Sequence, residues 1–302
     1  MKISISTNIF GRSDITGEHL DIASAAGFNT LDFCAYYYVG QRNAGFYSPH
    51  WKRWIESLRS IADRRGVAFN QTHNAVFNYF TPCESQTLNR ECVKRIIEAT
   101  AMLGAKTTVC HPVAPEGMID NKPECLKYNR DFFLRTSDIA EKFGVTLCIE
   151  NMKDDRFFDG RSLNRYCTRS EELIELVDSI NRPNVKVCVD LGHAHFMGEP
   201  PHKMIEHCGD RLAALHIHDN DTWSDQHLLP YCGTINWEAV TDALVNVNYP
   251  GDFTLETQHS FCHLHPDLFP ENLRYAHSIC LHLTNMIRTK QVERRSNFSV
   301  AE

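Results

Sequence analysis

The stretch Val185-Lys-Val-Cys-Val-Asp-Leu-Gly-His193 is a strand pattern that ends in side chains able to bind a metal. Its three valines share one face because side chains alternate along a strand, so Cys188 and Asp190 share the other. The stretch Ala214-Leu-His-Ile-His-Asp-Asn220 repeats this pattern, with His216 on the face opposite the leucine and isoleucine. A carboxylate or imidazole at the end of a buried strand is costly unless something binds it. Together the two stretches predict a divalent-metal site.

Strand patterns and helix patterns alternate along the whole of this 302-residue chain. The strand patterns span Lys2–Phe10, Thr30–Ala35, Val67–His73, Lys106–His111, Val145–Asn151, Val185–Leu191, Leu212–Asp219 and Asp252–Gln258. Eight βα units favour a closed parallel barrel, so we predict an α/β fold of the (β/α)8 TIM barrel type. A doubly wound open sheet is the alternative, but no GxGxxG motif follows the first strand. We predict one domain over residues 1–291 and a polar, frayed C-terminal tail over residues 292–302.

The composition favours a reduced cytoplasmic enzyme. The net charge of −7 argues against a dedicated nucleic-acid surface, which needs a positive footprint. Twelve cysteines are scattered without a CxxC pair, so neither a zinc ribbon nor a secreted disulfide scaffold is indicated. No apolar run approaches the length of a membrane span, and the N-terminus lacks the apolar core of a signal peptide. We therefore expect no nucleic-acid partner, no membrane association and a cytoplasmic location.

Four inward-facing side chains at the ends of consecutive strands form the candidate site. Glu150 ends the fifth strand, Asp190 the sixth, His216 the seventh and Glu256 the eighth. The carboxyl ends of barrel strands meet at one rim, which is where barrel enzymes place their chemistry. This set of oxygen and nitrogen ligands suits Mn²⁺, Mg²⁺, Co²⁺ or Zn²⁺, and the sequence does not choose among them.

Two histidines at the ends of the third and fourth strands are further candidates. Strict alternation places His73 on the same face as Val67 and Phe69, and His111 on the same face as Val109. This is not the inward pattern of the other four residues. We therefore expect either a substrate-binding, packing or second-metal role for the two histidines, or strands that end earlier than the patterns suggest.

Three more candidates follow the sixth and seventh strands. His193 comes three residues after Asp190, while Asp225 and His227 lie in the loop after the seventh strand. Substrate binding and second-metal binding are both open for these residues. His195 and His218 are expected to be ordinary rim or barrel-layer histidines.

The motifs together resemble those of the xylose isomerase-like barrel superfamily, and specifically its sugar phosphate isomerase/epimerase group. The resemblance rests on the Glu-Asn pair after strand five, the Asp-x-x-His after strand six, the histidine-rich seventh strand and the glutamate ending strand eight. It implies that Glu150, Asp190, His216 and Glu256 hold one divalent ion. It also implies that the two glutamates are the catalytic proton-transfer pair and that His193 contacts substrate.

The same superfamily contains the endonuclease IV nucleases, which bind three zinc ions. All nine ligand types of that family occur here in order, at His73, His111, Glu150, Asp190, His193, His216, Asp225, His227 and Glu256. The resemblance therefore implies an alternative, a multinuclear metal-dependent phosphoester hydrolase with further zinc ions. The acidic net charge and the lack of basic loops argue against DNA cleavage. An inosose dehydratase-like lyase is a further alternative, because it uses the same enolate chemistry.

The site chemistry favours a sugar or polyol-ketone isomerase or epimerase. A proton on the carbon next to a carbonyl is weakly acidic. A metal bound to the substrate oxygens would stabilise the enediolate that forms when this proton is removed. Two glutamates can then remove and return the proton. Aromatic residues after strands two and three, at Tyr36–Tyr38 and Phe77–Phe80, fit either a sugar pocket or simple packing. We expect a small sugar or polyol as substrate and a homo-oligomeric assembly.

Overall fold

All eight strand patterns form strands in the computed structural model, which describes residues 1–40, 45–80, 84–114, 121–156 and 162–299. The strands are β1 (Ile3–Ser6), β2 (Thr30–Phe33), β3 (Ala68–His73), β4 (Thr107–Cys110), β5 (Thr146–Glu150), β6 (Val185–Asp190), β7 (Leu212–His216) and β8 (Phe253–Leu255). Each strand is shorter than its pattern, because alternation continues into the loops that carry the site residues. A two-stranded hairpin, Asp155–Arg156 with Ser162–Leu163, follows β5.

The eight strands are parallel and run in chain order around the barrel, with β8 beside β1. Between β7 and β8 the barrel is closed by the backbone around Ile217. Its N–H donates to the carbonyl of Thr254 at 2.9 Å, and its carbonyl accepts from the N–H of Glu256 at 3.0 Å. The predicted (β/α)8 TIM barrel is confirmed.

Helices connect the strands and cover the outside of the barrel. They are α1 (Gly17–Ala25), α2 (Trp51–Asp63), α3 (Gln86–Met102), α4 (Lys122–Lys142), α5 (Ser170–Ile180), α6 (Leu191–Phe196), α7 (Pro201–Cys208), α8 (Trp237–Asn246) and α9 (Phe269–Ser299). The one-and-a-half-turn helix α6 is absent from the sequence prediction because so short a segment carries no helical periodicity. Asp190 starts it by accepting a hydrogen bond from the N–H of His193.

A layer of small side chains fills the barrel interior beneath the site. It consists of Val109, Cys148, Cys188 and Ala214, from β4, β5, β6 and β7. All four are at most 1% exposed. Each stands two residues before a candidate site residue, so alternation along each strand points that residue into the barrel as well.

A bulge in β3 decides the direction of His73. Phe69 and Gln71 pair with consecutive residues of β2, which leaves Asn70 as an extra residue between them. Such a bulge reverses the alternation of the residues that follow it. His73 therefore faces the interior although Phe69 faces outward, where its ring lies 6.0 Å from that of Phe33. The expectation from strict alternation was wrong at His73 for this reason.

The expectation for His111 was wrong for a different reason. It assumed that Val109 faces the helices, as most strand valines of this chain do. Val109 instead belongs to the small interior layer, so His111, two residues later, also faces the interior. Both histidines therefore face the barrel interior, as do the four central residues, Glu150, Asp190, His216 and Glu256.

The last helix continues beyond the point where the sequence predicts a frayed tail. It ends at Ser299, so residues 292–299 are helical, and residues 300–302 lie outside the described residues. Arg294 holds this end by donating to the carbonyl of Val245 at 2.8 Å. Within the part of the chain that the structure describes, no helix combines the length and the apolar character that crossing a bilayer requires.

Candidate metal and active site

The four central residues converge at the carboxyl end of the barrel. One ligand atom each from Glu150, Asp190, His216 and Glu256 lie within 4.8 Å of one another. The closest contact joins Glu150 Oε1 to His216 Nδ1 at 2.8 Å, and Glu256 Oε2 lies 3.5 Å from the same nitrogen. Each of the four residues is at most 5% exposed. The geometry thus brings together the side chains that the sequence identifies as the metal site.

Asn151 links the ends of β5 and β6. Its side-chain Nδ2 donates to the carbonyl of Asp190 at 3.0 Å, and its Oδ1 accepts from the N–H of Asp190 at 2.7 Å. Its own carbonyl lies 2.9 Å from Nδ1 of His193. The Glu-Asn and Asp-x-x-His motifs are therefore one connected unit, in which Asn151 holds Asp190 beside Glu150.

The electrostatics of the centre are those of carboxylates held next to imidazoles. Burial alone would raise the pKa of Glu150, but His216 and His111 outweigh it and hold that pKa well below the usual range. Burial alone would lower the pKa of His216, but Glu150 and Glu256 raise it well above the usual range. Asp190 also has a lowered pKa, because His193 and His218 outweigh the effect of its burial. The imidazoles therefore compensate the charge of the buried carboxylates.

His73 and His111 contact the outer oxygen of Glu150. Oε2 of Glu150 lies 2.9 Å from Nε2 of His111 and 3.5 Å from Nε2 of His73. His73 also stacks on the ring of His216, with 5.4 Å between centroids. His73, His111 and Glu150 therefore form a second group of convergent ligand atoms. This group shares Glu150 with the four central residues.

A third group surrounds Asp225. Its carboxylate lies 3.0 Å from Nε2 of His227, 3.6 Å from Nε2 of His193 and 3.7 Å from Nε2 of His218. Burial would lower the pKa of His193 and of His227, but Asp190 and Asp225 raise that of His193 to about 10, and Asp225 raises that of His227 to about 9. Burial would raise the pKa of Asp225, yet His227 and His193 lower it well below its usual value.

Two residues that contact the proposed ligands are not among the site candidates of the sequence analysis. His218 is fully buried, and its Nε2 lies 2.9 Å from Asp190 Oδ1, so it is a site residue rather than an ordinary barrel-layer histidine. It faces the barrel interior because it lies two residues after His216, and this spacing can be read from the sequence. Asp32 is also fully buried, at the inward face of β2, with Oδ2 3.5 Å from Nε2 of His216. His195, in contrast, lies beside the site and contacts Thr234.

Glu256 is held by Asn8, which follows the neighbouring strand β1. Asn8 lies in the 3-10 turn after β1, and its Nδ2 donates to Glu256 Oε1 at 3.3 Å and to Gln258 Oε1 at 3.0 Å. The backbone carbonyl of Glu256 lies 2.9 Å from Nδ1 of His227. These contacts fix the orientation of Glu256. They also connect the four central residues with the group around Asp225.

The central residues fit a divalent cation. Ligand atoms about 2 Å from a common ion lie about 3–4 Å from one another, and the observed separations are close to that range. Three clustered carboxylates and an imidazole are the donor set that Mn²⁺, Co²⁺ or Zn²⁺ accepts. Burying this many carboxylates together is costly unless a positive charge is bound among them.

Some aromatic residues after β2 and β3 lie at the site, whereas others pack against a helix of the barrel. The ring of Tyr36 lies 4.7 Å from that of His73, next to the metal ligands. Tyr79 instead stacks on Phe132 of α4 at 3.7 Å, and Phe80 lies 4.8 Å from Tyr128. Only the first of these positions suits contact with a substrate.

A family model described as xylose isomerase-like TIM barrel matches residues 20–279, which is most of the chain and includes every candidate ligand. The chain belongs to this family. The family match agrees with the barrel and with the resemblance derived from the motifs.

Individual relatives of this xylose isomerase-like barrel are distant. The chain is 29% identical over 211 residues to an uncharacterised protein of Methanocaldococcus jannaschii, covering 68% of this chain and 69% of that protein. It is 28% identical over 171 residues to inosose isomerase of Bacillus subtilis, covering 54% of this chain and 58% of that enzyme. A solved structure of a D-tagatose 3-epimerase-like protein superposes with a TM-score of 0.74 at 22% identity, covering 96% of this chain and 99% of the other. That similarity establishes a shared fold.

Proposed function

We propose that this protein is a divalent-metal-dependent isomerase or epimerase of a sugar or polyol ketone. The observation that carries the proposal is the convergence of Glu150, Asp190, His216 and Glu256 within 4.8 Å at the carboxyl end of the barrel. Membership of the xylose isomerase-like family supports it, as does the similarity to inosose isomerase, whose name gives an isomerase acting on a polyol ketone.

In this proposal the two glutamates transfer the proton. Glu256 and Glu150 come from strands on different sides of the centre, and both are almost fully buried. One removes the proton from the carbon next to the carbonyl, and the other, or the same one, returns it. Transfer between opposite faces of one carbon gives an epimer, whereas transfer between adjacent carbons on one face gives an aldose–ketose pair.

Asp190 and His216 chiefly anchor the ion. A bound divalent ion would supply Lewis-acid stabilisation of the negative charge that develops on the substrate oxygens. The two hydrogen bonds between Asn151 and the backbone of Asp190 fix Asp190, and the hydrogen bond donated by Asn8 fixes Glu256, so the site needs little rearrangement when a substrate binds. The identity of the ion, and any further ion, belongs to this proposal.

Deuterium exchange tests the proposal directly. The metal-loaded protein is incubated in deuterated water with ketoses, aldoses and inososes, and the substrates are followed by NMR. We expect deuterium at a carbon next to the carbonyl of one substrate, with wild-type protein and not with the Glu256→Gln variant. Replacement of Glu199, a buried carboxylate that accepts from the N–H of Ser170 at 3.1 Å, by Gln is the matched control. No exchange with any member of the panel would refute enolisation of these substrates.

A second candidate is a multinuclear metal-dependent phosphoester hydrolase. The observation in its favour is that two further groups of ligand atoms adjoin the central one: His73 and His111 with Glu150, and His193, His218 and Asp225 with His227. Two or three ions in such groups can position a water and stabilise a leaving oxygen in phosphoester cleavage.

Metal content separates the two candidates. One tightly bound equivalent per chain supports the isomerase, whereas two or three equivalents support the hydrolase. His227→Gln is the discriminating variant: it should leave a single central ion in place, but it should remove one equivalent from a multinuclear centre. Cleavage of bis(p-nitrophenyl) phosphate by the metal-loaded protein, lost in His227→Gln, would favour the hydrolase.

A further inference from the structure

We propose that Asp32 is a positioning residue of the metal centre, which orients the His216 ring and keeps its proton on Nε2 so that Nδ1 is free to bind the ion. This inference rests on the proposed function, because it concerns a ligand of the proposed metal site. Asp32 lies on β2, on the side of the barrel away from β5 and β6, and it belongs to none of the three ligand groups described above.

The burial of Asp32 calls for a partner. Its side chain is fully buried, and among the described residues neither carboxylate oxygen has a hydrogen-bond partner. An ionised carboxylate in a protein interior costs several kcal/mol unless a positive or polar group compensates it. The group that faces it is Nε2 of His216, 3.5 Å from Oδ2, and this nitrogen is also without a hydrogen bond among those residues.

The two nitrogens of His216 face different partners. Nδ1 points to the centre, 2.8 Å from Glu150 Oε1 and 3.5 Å from Glu256 Oε2, whereas Nε2 points to Asp32. A neutral imidazole has one N–H and one lone pair, and an ionised carboxylate can only accept a hydrogen bond. The proton therefore belongs on Nε2, facing Asp32, and the lone pair on Nδ1 faces the proposed ion.

Within the described part of the chain, no other contact of the ring selects this tautomer. His73 stacks on His216 with an angle of 11° between the rings, which fixes the plane of the ring but is indifferent to which nitrogen carries the proton. The carboxylates of Glu150 and Glu256 would by themselves favour a proton on Nδ1, the nitrogen that must be free for a metal. Asp32 opposes them from the other edge of the ring. Carboxylates in this position are a general means of orienting a metal-binding histidine.

The first test measures zinc affinity without any substrate. Asp32→Asn keeps the size of the side chain but can turn its amide N–H toward Nε2, which would move the histidine proton to Nδ1. We expect zinc affinity, measured by competition with a chelator, to fall about 10- to 100-fold. The melting temperature of the metal-free variant should change little, because the amide fills the same space as the carboxylate. Glu199→Gln, the matched change at a buried carboxylate that faces α5, should leave zinc affinity unchanged.

The second test observes the tautomer. Long-range ¹H–¹⁵N correlation spectra of the zinc-loaded protein, labelled with ¹⁵N-histidine, identify the protonated nitrogen of His216, whose signals are assigned by their loss in His216→Gln. We expect the proton on Nε2. A proton on Nδ1, or a zinc affinity of Asp32→Asn equal to that of the wild type, would overturn the inference. If Asp32→Asn weakens zinc binding but the wild type exchanges no deuterium, the proposed reaction fails and the role of Asp32 stands.

Discussion

Oε1 of Glu150 lies 2.8 Å from Nδ1 of His216, across the strand that separates β5 from β7. This contact spans the rim of the barrel and joins a proposed proton-transfer group to a proposed metal ligand. Burial opposes the charge on both groups, but His216 and His111 lower the pKa of Glu150, while Glu150 and Glu256 raise the pKa of His216. A divalent ion bound at the same place would compensate the carboxylates instead.

Replacing Glu256 by Gln should abolish turnover and leave the fold intact. The amide has nearly the same shape as the carboxylate and can still pair with Asn8, but it cannot accept a proton. We expect a loss of about 10²- to 10⁴-fold in turnover, the usual contribution of a general acid or base. The measurement is kcat on the substrate found by deuterium exchange, with a melting curve to verify folding. A variant with near-normal kcat would refute the assignment of Glu256.

Removal of bound metal should lower the melting temperature. The ion binds the folded state, because the ligands of the central site come from four strands that are far apart in the unfolded chain. At a free metal concentration of 100 times the dissociation constant, the stabilisation is about 2.7 kcal/mol. We expect a chelator to lower the melting temperature by several degrees and added metal to restore it. His216→Gln, which removes a ligand, should melt at the same temperature with and without metal.

The barrel and the convergence of its four central residues could be predicted from the sequence, because the strand patterns carry a clear alternation. Glu150, Asp190 and His216 each stand two residues beyond a small residue of the interior layer, and that spacing is visible in the sequence. His218 has the same spacing from His216, so its inward direction was available from the same rule. The contact between His218 and Asp190 could not be predicted in this way, because it depends on where neighbouring strands end.

The remaining errors arose from local features that alternation does not encode. The bulge at Asn70 depends on how β2 and β3 pair, so the direction of His73 could not be derived from the sequence of β3 alone. Val109 could face either the helices or the interior, because valine fits both environments of a barrel strand. Asp32 lies between two outward apolar residues, a pattern that indicates an inward carboxylate. Its partner across the barrel becomes evident only when the strands are assembled.

The metal-free protein should become less stable as the pH rises above neutral. Burial opposes the charge of both imidazoles, but Asp190 and Asp225 raise the pKa of His193 to about 10, and Asp225 raises that of His227 to about 9. In the unfolded chain both titrate near pH 6.5. Since the folded state binds these protons more tightly, their stabilisation is fully present below about pH 6.5 and is lost as the pH rises through about 9–10.

Urea unfolding of the chelated protein between pH 6 and 10 tests this linkage, because it measures the free energy of unfolding at each pH. Asp225→Asn is the control, since it removes the carboxylate next to both imidazoles and lets their pKa values fall toward the unfolded value. The decline with pH should therefore be smaller in the variant than in the wild type. Parallel profiles for the two proteins would show that Asp225 does not retain protons on these histidines.

Replacing Gly192 by Ala should destabilise the protein through His218. A Cβ at position 192 would lie 1.8 Å from Cε1 of His218, and no real contact is that close. His218 is fully buried and lies 2.9 Å from Asp190, so its ring cannot move without losing that contact. We expect a cost of about 1–3 kcal/mol, as for other insertions of a methyl group into a packed interior, and a corresponding fall in melting temperature.

A double-mutant cycle tests whether His218 is the cause. If the added methyl acts through the His218 ring, then Gly192→Ala should cost much less in a His218→Ala background, where the ring is absent. Gly17→Ala is the control for an added methyl group. The atoms nearest to its Cβ would be those of the Arg65 guanidinium, the flexible end of a side chain that is 30% exposed and can swing aside. Equal costs of Gly192→Ala with and without the His218 ring would show that the packing of Gly192 does not hold His218 against Asp190.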